Sequence, residues 1–402
     1  MALAAPGRIV VLDGVEQHVV RLETAVDLRP GDLVSIEVER AGENSLVARS
    51  VTRVFRPVRA PFGPGTETQS LLADGKLDRL IVRDRMVRAI RGHFDREGSL
   101  EVNTPSMATS PGLDLHLHAF EVVRPIVSRH QPDESGRMPS LPPLGIPHAY
   151  LITSPEYHMK RLLVGGVRRC HQFAKCFRAD EDGARHEPEF TMLEWYRAWD
   201  GMRAMLDDTF AIVRAAASVT STPDRLLVRG RNVPLDQGYD VFTVREAFAR
   251  WAPDVRDPIG LARDDEDAYF AHMVDRIEPN LGVERPAFLV GFAARHASLA
   301  RLNPDDPTVC DRFELSVNGT ELSNGFVELT DPDEQRERLE RDQRERVDAG
   351  LPVYPLDERF LAALEEGMPP AVGNALGFDR LVAMATGRDA IADGIAFPGK
   401  RR

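Results

Sequence analysis

The alternation of apolar and polar residues along the first 57 positions predicts short β-strands. Four segments, RIVVLDG, HVVRLETAV, DLVSIEVER and LVARSVTRVF, are rich in Val, Ile and Leu and are separated by turn residues. Residues 1–57 are therefore expected to form a small β-barrel or half-barrel that is at most OB-like. Residues 58–70 are rich in Pro and Gly and predict a linker, which leaves 71–402 as the main domain.

The main domain opens with a helical pattern. Apolar residues recur at helical spacing from 77 to 96, at Leu77, Leu80, Ile81, Val87, Ile90 and Phe94. Gly98 ends this helix, and LEVNTPSM continues as a strand that stops near Pro105.

The rest of the main domain is predicted more coarsely. Residues 123–149 are proline-rich and predict a loop, whereas 201–290 predict mostly helices, one with a capping box of Thr243 and Glu246. The charged segment 331–350 predicts a solvated helix.

Composition narrows the class of protein. Of the 402 residues 43% are apolar and 28% charged, as in an ordinary soluble protein. No apolar run reaches the length of a membrane span and the start carries no export signal, so a cytoplasmic protein is expected. Three cysteines without a CxxC pair predict reduced thiols rather than disulfides or structural zinc.

The charge of the chain disfavours nucleic acid as a general partner. The net charge of −12 argues against non-specific binding, which relies on Lys and Arg facing phosphates. Residues 1–70 carry eight arginines against nine acids, so the predicted β domain is a poor candidate for gripping RNA. A local basic patch remains compatible with these numbers.

The strand-like segment RHEPEFTMLEWYRAW carries carboxylates among aromatic residues. Period-two alternation puts Phe190, Met192, Glu194 and Tyr196 on one face. Such a face offers a ring for stacking and a carboxylate to receive a cation, so it predicts the floor of a ligand site. An amphipathic strand with one face in solvent explains the same pattern.

The segment FELSVNGTELSNGFVELTD predicts a hairpin, because Asn-Gly at 318–319 is a strong two-residue turn signal. With that turn Ser316 pairs with Glu321 and Glu314 faces Ser323. Glu314 and Glu321 then share a face within reach of one Mg²⁺ bound together with nucleotide phosphates. Two acids on an outer, solvated face are the alternative.

The second strand of this hairpin carries polar residues of both parities. Asn324, Phe326 and Glu328 fall on the parity opposite to that of Glu321. A site that uses both sets requires the strand to twist or bulge around Gly325.

Two arginines indicate an anion site. Arg178 opens a polar loop after an apolar strand, and its guanidinium can bind a phosphate bidentately. Arg380 stands at the start of a predicted helix, where its charge opposes the helix dipole, so an anion explains it better. Gly373, Ala375 and Gly377 give the preceding strand a bare face that a flat ligand or a backbone can approach.

Together these segments resemble the three signature motifs of class II aminoacyl-tRNA synthetases. The helix and strand ending at Pro105 resemble motif 1, the dimer element, whereas 178–197 resemble motif 2 and 373–380 motif 3. TSPEYHMKRLLVGG, HEPEFTMLEWYR, ELSNGFVELTD and GNALGFDRL are similar to the lysyl subgroup, and most of all to the elongation factor P–(R)-β-lysine ligase family. The resemblance covers about residues 71–398 and implies an α+β fold with an antiparallel sheet flanked by helices, beside a small N-terminal β domain.

The resemblance also implies roles for individual residues. Arg178 and Arg380 would be catalytic through the phosphates, Phe190 would stack on adenine, Glu156 would take an amino group and Glu328 the distal ammonium. The implied ATP site comprises Arg178, Asp180, His186, Phe190, Glu314, Glu321 and Arg380, with Mg²⁺ at Glu314 and Glu321. The implied amino-acid site comprises Ser154, Glu156, Glu194, Tyr196, Asn324, Glu328 and Ala375.

The implied activity is activation of lysine or (R)-β-lysine as an adenylate and transfer to a protein lysine on elongation factor P, by a homodimer. Ala375 favours this family, because lysyl-tRNA synthetases typically carry Gly there. Ala179, Asp180 and Glu187 depart from the family pattern in the motif 2 loop. Three alternatives stay open: a lysyl-tRNA synthetase-like enzyme acting on tRNA, an activator that charges a carrier protein or small amine, and an inactive binding subunit. The last would be expected to have lost residues that this chain keeps, namely Arg178, Glu314, Glu321 and Arg380.

Overall fold

The structure is a computed structural model, and it describes residues 2–399 except 6, 14–15, 30, 42–44, 57, 59–64, 68, 116, 123–148, 182 and 184. Most of the predicted linker and nearly all of the predicted proline-rich loop lie outside the described residues. The chain forms two compact units, Met1–Asp84 and Arg85–Arg402. The division into 1–57, 58–70 and 71–402 stays a prediction.

The smaller unit contains a five-stranded sheet in the order β1-β2-β3-β5-β4. Its strands are β1 (Ala2–Ala5), β2 (Arg8–Asp13), β3 (Glu16–Leu22), β4 (Leu33–Arg40) and β5 (Leu46–Phe55). All neighbours are antiparallel except β3 and β5, which run parallel. The four predicted strands are confirmed, and β1 is additional. Among the described residues the sheet is open, with β1 and β4 as its edges, rather than closed into a barrel.

The larger unit is built on an eight-stranded sheet in the order β14-β15-β16-β17-β18-β11-β10-β6. The six strands from β15 to β10 run antiparallel, and β14 and β6 join the two edges in parallel. This confirms the expected antiparallel sheet. The described strands of this unit are β6 (Leu100–Glu101), β7 (Met107–Ala108), β8 (Glu121–Val122), β9 (Ala149–Leu151), β10 (Arg169–Phe177), β11 (Glu189–Ala198), β12 (Arg225–Val228), β13 (Arg231–Pro234), β14 (Asp240–Thr243), β15 (Ala287–Ala293), β16 (Val309–Val317), β17 (Thr320–Val327) and β18 (Ala371–Gly377). Five of them lie outside the large sheet: β7, β9 and β8 form a three-stranded sheet, and β12 and β13 form a two-stranded one.

Helices flank this sheet. They are α1 (Lys76–Arg96), α2 (Glu156–Val164), α3 (Met202–Ala217), α4 (Val244–Trp251), α5 (Pro258–Asp264), α6 (Glu266–His272), α7 (Pro332–Asp348), α8 (Glu358–Gly367) and α9 (Phe378–Ala385). The predicted capping box at the start of α4 is present, with Thr243 and Glu246 exchanging side-chain and backbone hydrogen bonds. None of the described helices is long and apolar enough to cross a membrane.

The segment after α1 is less regular than predicted. Only Leu100 and Glu101 form a strand, in parallel with β10, and the hydrogen bond from Val102 N to His171 O is 2.9 Å long. The backbone then leaves the sheet before it reaches Pro105, since proline has no N–H to donate to a ladder.

The segment 331–350 is a helix, as predicted, but the expectation that it is solvated is wrong for one face. Side chains at helical spacing along α7 are buried, namely Gln335, Arg338, Leu339 and Arg346. This buried stripe could not be predicted from the almost uniformly charged sequence of the helix. Arginine side chains are buried where their aliphatic stems pack and where carbonyl groups accept hydrogen bonds from their guanidinium groups, and the sequence of the helix does not show where such carbonyls lie.

The hairpin of β16 and β17 corrects the predicted register. Both turn residues at 318–319 have positive φ, as a two-residue hairpin turn requires, and Ser316 pairs with Glu321. The register then shifts, so that Glu314 faces Asn324 and not Ser323. The bulge therefore lies at Leu322 rather than around Gly325, and it brings both sets of polar residues onto one face.

Candidate active site

The face of the central sheet that carries the predicted site residues is continuous across five strands. One row of cross-strand neighbours runs from Glu314 on β16 through Asn324 on β17, Ala375 on β18 and Glu194 on β11 to Gln172 on β10. Because side chains at facing positions point the same way, the bulge at Leu322 is what aligns β17 with its neighbours.

Neither face of β11 is solvated. Glu194 and Tyr196 on one face and Leu193 and Trp195 on the other are all buried. The reading of this strand as amphipathic with one face in solvent is therefore wrong.

A cavity of about 400 Å³ opens on this face. Nine of the predicted site residues line it, namely Ser154, Glu156, Arg178, His186, Phe190, Glu321, Asn324, Ala375 and Arg380. Five do not, namely Asp180, Glu194, Tyr196, Glu314 and Glu328. Four of these five lie behind the wall of the cavity, whereas Asp180 points elsewhere.

Three arginines line the cavity, namely Arg178, Arg185 and Arg380, and side-chain contacts fix the positions of Arg178 and Arg380. The guanidinium of Arg178 lies over the ring of Phe190, 5.1 Å from its centroid, and donates to Glu181 at 3.0 Å. Its Nε is buried and has no hydrogen-bond partner among the described residues. Arg380, in the first turn of α9, donates to the carbonyl of Glu321 at 2.5 Å, and its other nitrogen lies 3.3 Å from His186 Nε2. Both guanidinium groups are thus anchored and face space that an anion can fill.

The motif 2 loop departs from the expected contacts. Asp180 is exposed and pairs with His118, so the structure does not bring it to the cavity. Glu181, one position later, lines the cavity instead and was missed. Glu187, the unusual acid of this loop, is buried, lines the cavity and accepts a hydrogen bond from Gly399 N at 2.7 Å.

The two acids of the hairpin lie on the cavity side rather than on an outer face. Glu321 lines the cavity, and the mostly buried Glu314 contacts Arg312. The crowding of the walls and then the charge of Glu314 raise the pKa of Glu321, although its side chain reaches solvent through the cavity. Two carboxylates that repel in this way favour a cation between them.

At the amino-acid end, Glu194 is fixed by two hydroxyl groups. Ser154 Oγ donates to one carboxylate oxygen at 2.8 Å and Tyr196 Oη to the other at 2.7 Å. Burial, and then the charge of Glu156, raise the pKa of Glu194 to about 8. The Oδ1 of Asn324 is a further acceptor, and it has no partner among the described residues. This end of the cavity therefore offers acceptors and negative charge to an ammonium group.

Lys160 is a buried charged residue next to the cavity that the sequence analysis did not single out. Its side chain is 0% exposed, and Nζ lies 2.7 Å from Glu156 Oε1 and 2.6 Å from Glu328 Oε2. The ammonium next to Glu328 is thus the protein's own. Available signals were the spacing of four between Glu156 and Lys160 on a helix, and the rarity of lysine in a chain with four lysines and 47 arginines.

Protein side chains fill part of the space above the small residues of β18, and the rest of that space belongs to the cavity. A Cβ on Gly373 would collide with the ring of Tyr196 and with Glu328 Oε1, so these side chains take the space predicted for a ligand. Gly377 and Ala375 do line the cavity. At Gly373 the close approach is thus made by side chains rather than by a ligand or a backbone, whereas the approach of a ligand at Ala375 and Gly377 stays a prediction.

Helix α7 supports the opposite wall. Arg346 donates to the carbonyl of Asp114 at 2.6 Å and of Leu117 at 3.2 Å, and Arg338 donates to that of Ala300 at 2.7 Å. Asp342, between the two arginines, lines the cavity, and burial raises its pKa to about 6. No local signal in the charged sequence of α7 indicated this role.

Comparison with known proteins agrees with this geometry. A sequence model of the class II tRNA synthetases (D, K and N) matches residues 70–401. The chain is 41% identical over 326 residues to the elongation factor P–(R)-β-lysine ligase of Proteus mirabilis, which covers 79% of this chain and 94% of the relative. The protein of the same name from Salmonella gallinarum is 38% identical over 336 residues, which covers 83% and 98%. The chain belongs to the class II tRNA synthetases and, within them, to the elongation factor P–(R)-β-lysine ligase family.

Proposed function

We propose that this chain is an ATP-dependent ligase that activates (R)-β-lysine or lysine and transfers it to a lysine side chain of elongation factor P. The observation that carries the proposal is one cavity whose wall holds Arg178 and Arg380 together with the carboxylate of Glu156 and the hydroxyl of Ser154, which fixes Glu194. Phosphates and the two amino groups of a diamino acid are the ligands that match these charges. The relatives named above carry this activity in their names.

The proposed reaction has two steps. A carboxylate oxygen of the amino acid attacks the α-phosphorus of ATP, and pyrophosphate leaves with the electrons of the broken P–O bond. The amine of the acceptor lysine then attacks the carbonyl carbon, AMP leaves, and the amine gives up a proton. Neither step uses a side-chain nucleophile, so positioning and neutralisation of phosphate charge account for the rate.

Arg178 and Arg380 are the residues that neutralise this charge. Among the described residues Arg178 Nε has no hydrogen-bond partner, and the guanidinium donates to Glu181. A phosphate oxygen can bind this Nε and take the place of the Glu181 carboxylate. Phe190 provides the surface for adenine, and His186, which is held by Arg380, flanks the phosphates. Asp180 has no role in this arrangement.

Glu314 and Glu321 fit a magnesium ion. The surrounding walls and then the charge of Glu314 raise the pKa of Glu321, so a second carboxylate stands close to it on the same face of the hairpin. Among the described residues no three acids, histidines or cysteines form a metal cluster, so these two carboxylates would share Mg²⁺ with phosphate oxygens. When bound, the ion supplies charge neutralisation at the phosphates.

The diamino acid occupies the other end of the cavity. Its carboxylate faces Arg178, and its amino groups face Glu156, Glu194 and the free acceptor of Asn324. Tyr196 holds Glu194 in place, and Glu328 balances Lys160 beneath the floor. The methyl group of Ala375 fills the wall next to the amino-acid backbone.

The remaining partners follow from this activity. A protein acceptor in the cytoplasm and a homodimer formed through residues 77–105 complete the proposal, and tRNA is the less favoured acceptor. The acidic chain, with its net charge of −12, offers little attraction to a nucleic-acid backbone.

Amino-acid-dependent ATP–pyrophosphate exchange tests the activation step. The assay compares (R)-β-lysine, α-lysine and norleucine, which lacks the distal amine. Strong exchange with the two diamino acids, and most with (R)-β-lysine, is expected. Exchange with norleucine at a similar rate, or with none of the three, would contradict the proposal.

A further inference from the structure

The buried ammonium of Lys160 is unusual in its surroundings. It bridges Glu156, on its own helix α2, and Glu328, which follows β17, at 2.7 and 2.6 Å. Burial alone would lower the pKa of Lys160, but the two carboxylates outweigh it and raise the pKa, so the ammonium stays charged. A compact ammonium fits between two carboxylates in a way that the planar guanidinium of arginine does not.

Lys160 lies between an acid that lines the cavity and an acid that does not. Glu156 lines the cavity, whereas Lys160 and Glu328 do not. The side chain of Glu328 is only 1% exposed, and burial raises its pKa to about 8, with the ammonium of Lys160 as the largest influence in the opposite direction. Lys160 therefore meets the charge of Glu328 before any substrate arrives. The substrate thus meets a pocket in which one acid has already been neutralised.

The charges of this end of the pocket can be counted. The titratable groups whose charges act on one another around Lys160 are Glu156 and Lys160 on α2, Glu194 and Tyr196 on β11, Cys170 on β10 and Glu328 after β17. Asp114 and Asp342 line the opposite wall and act on Tyr157 instead, so they are not part of this count. When the three counted carboxylates are ionised, as bound ammonium groups favour, and Tyr and Cys are neutral, the counted groups carry three negative charges and one positive charge. The remainder of two negative charges equals the two ammonium groups of a diamino acid.

We propose that Lys160 is a specificity-determining residue, a built-in counter-cation that sets the pocket to two unmatched negative charges and so selects an amino acid with two ammonium groups. The proposal rests on the proposed function, because it concerns the amino-acid pocket of that reaction. Without Lys160 one carboxylate is in excess, and a proton must replace the missing charge. The carboxylate binds this proton at low pH and loses it at high pH.

The variants Lys160→Met, Glu328→Gln and the double variant test this, with pyrophosphate exchange measured at about pH 6.5 and about pH 8.5. Glu328→Gln leaves one unmatched negative charge and is expected to raise KM for (R)-β-lysine about tenfold. Lys160→Met leaves three, which attract the two ammonium groups more strongly, so KM is expected to fall about threefold at the higher pH and to change less at the lower pH, where a proton occupies Glu328. The double variant removes one charge of each sign, so its KM should return to within about threefold of the wild type at both pH values. KM for ATP should stay unchanged in all three.

Two results would overturn the proposal. One is a KM of Lys160→Met that does not depend on pH more than that of the wild type. The other is a double variant whose KM for (R)-β-lysine is as high as that of Glu328→Gln alone. Glu328 would then bind the distal ammonium directly, and Lys160 would only position Glu328.

Thermal unfolding of the same variants gives a reading that needs no substrate. In Lys160→Met the buried acids have raised pKa values, so stability should fall as pH rises from about 6.5 to about 8.5, and less so in the double variant. The absence of this difference would also count against the proposal. If the wild type shows no exchange with either diamino acid, the proposed function fails, and the unfolding data alone decide the role of Lys160.

Discussion

Glu194 shows how burial can tune a single residue of the site. Two hydroxyl donors hold its carboxylate, yet burial and the charge of Glu156 still raise its pKa to about 8. A carboxyl group in this state is largely protonated at neutral pH until a cation arrives, which links ammonium binding to proton release.

This linkage predicts that affinity for the diamino acid rises between about pH 6 and about pH 8. A bound ammonium favours ionised Glu194, so a proton is released on binding below the raised pKa. Calorimetry in buffers of different ionisation enthalpy measures that proton. The stability of the folded protein changes with pH in the opposite direction. The pKa of Glu194 in the folded protein lies above its ordinary value, so the contribution of Glu194 to stability is lost as pH rises towards about 8.

Glu194→Gln is the control for this prediction. The glutamine keeps the shape of the side chain and cannot titrate, so its pH dependence and its proton release should both be reduced. Equal proton release in the two proteins would assign the titration to another group.

Gly373 allows a second prediction at the residue scale. Gly373→Ala should destabilise the fold by about 1–3 kcal/mol and weaken binding of the amino acid more than of ATP, because the new methyl group displaces Tyr196 and Glu328. Unfolding by urea and titration with each ligand measure the two effects. Gly201→Ala, where nothing lies within 4 Å, is the matched control. Equal losses for both ligands would contradict this division of the site.

At the scale of elements, the cavity depends on a bulge and on a helix. The bulge at Leu322 turns Glu321 and Asn324 onto one face, and α7 anchors the wall that contains Asp114 and Leu117. Both features join segments that are distant in sequence, so the site is assembled by tertiary structure rather than by local motifs.

The role of α7 predicts that Arg346→Met destabilises the protein by about 3 kcal/mol, because several buried carbonyls lose their charged donor. KM for the amino acid should also rise, since the released wall lines the cavity. Arg344→Met, on the exposed side of the same helix, is the control and should leave both quantities unchanged. A similar stability for the two variants would show that Arg346 does not support the wall.

Part of this architecture could be predicted from sequence. The Asn-Gly turn at 318–319 was enough to predict the hairpin and the pairing of Ser316 with Glu321, because these two residues adopt positive φ readily. The register beyond Leu315 could not be predicted, since a bulge has no sequence signature of its own. The buried face of α7 could not be predicted because of its charged sequence, and the environment of Lys160 could not be predicted because Glu328 is distant from it in sequence.

At the scale of the whole molecule, the site belongs to one of the two compact units. Every residue of the cavity lies within Arg85–Arg402. The match to the family model begins at residue 70, so the five-stranded sheet of the smaller unit lies outside it. The resemblance of long motifs predicted the fold of the larger unit, whereas the smaller unit was predicted only from its alternating apolar residues.

Dimerisation is the prediction that concerns assembly. The segment that resembles motif 1 presents Leu100 with 54% of its surface exposed, and Met107 follows with 51%. A homodimer at micromolar concentration is expected by light scattering, and Leu100→Asp should weaken it, because an acid would then enter an apolar contact. Val274→Asp, at an exposed valine elsewhere, is the control. A monomeric wild type would exclude this mode of assembly.

Transfer to the acceptor is the central claim, and the intact mass of elongation factor P tests it most directly. The factor would be incubated with this protein, ATP, Mg²⁺ and (R)-β-lysine, with tRNA in a parallel reaction. The account predicts that the mass of elongation factor P increases by one β-lysyl residue and that this requires ATP. An unchanged factor together with charged tRNA would contradict the account and support the tRNA-charging alternative.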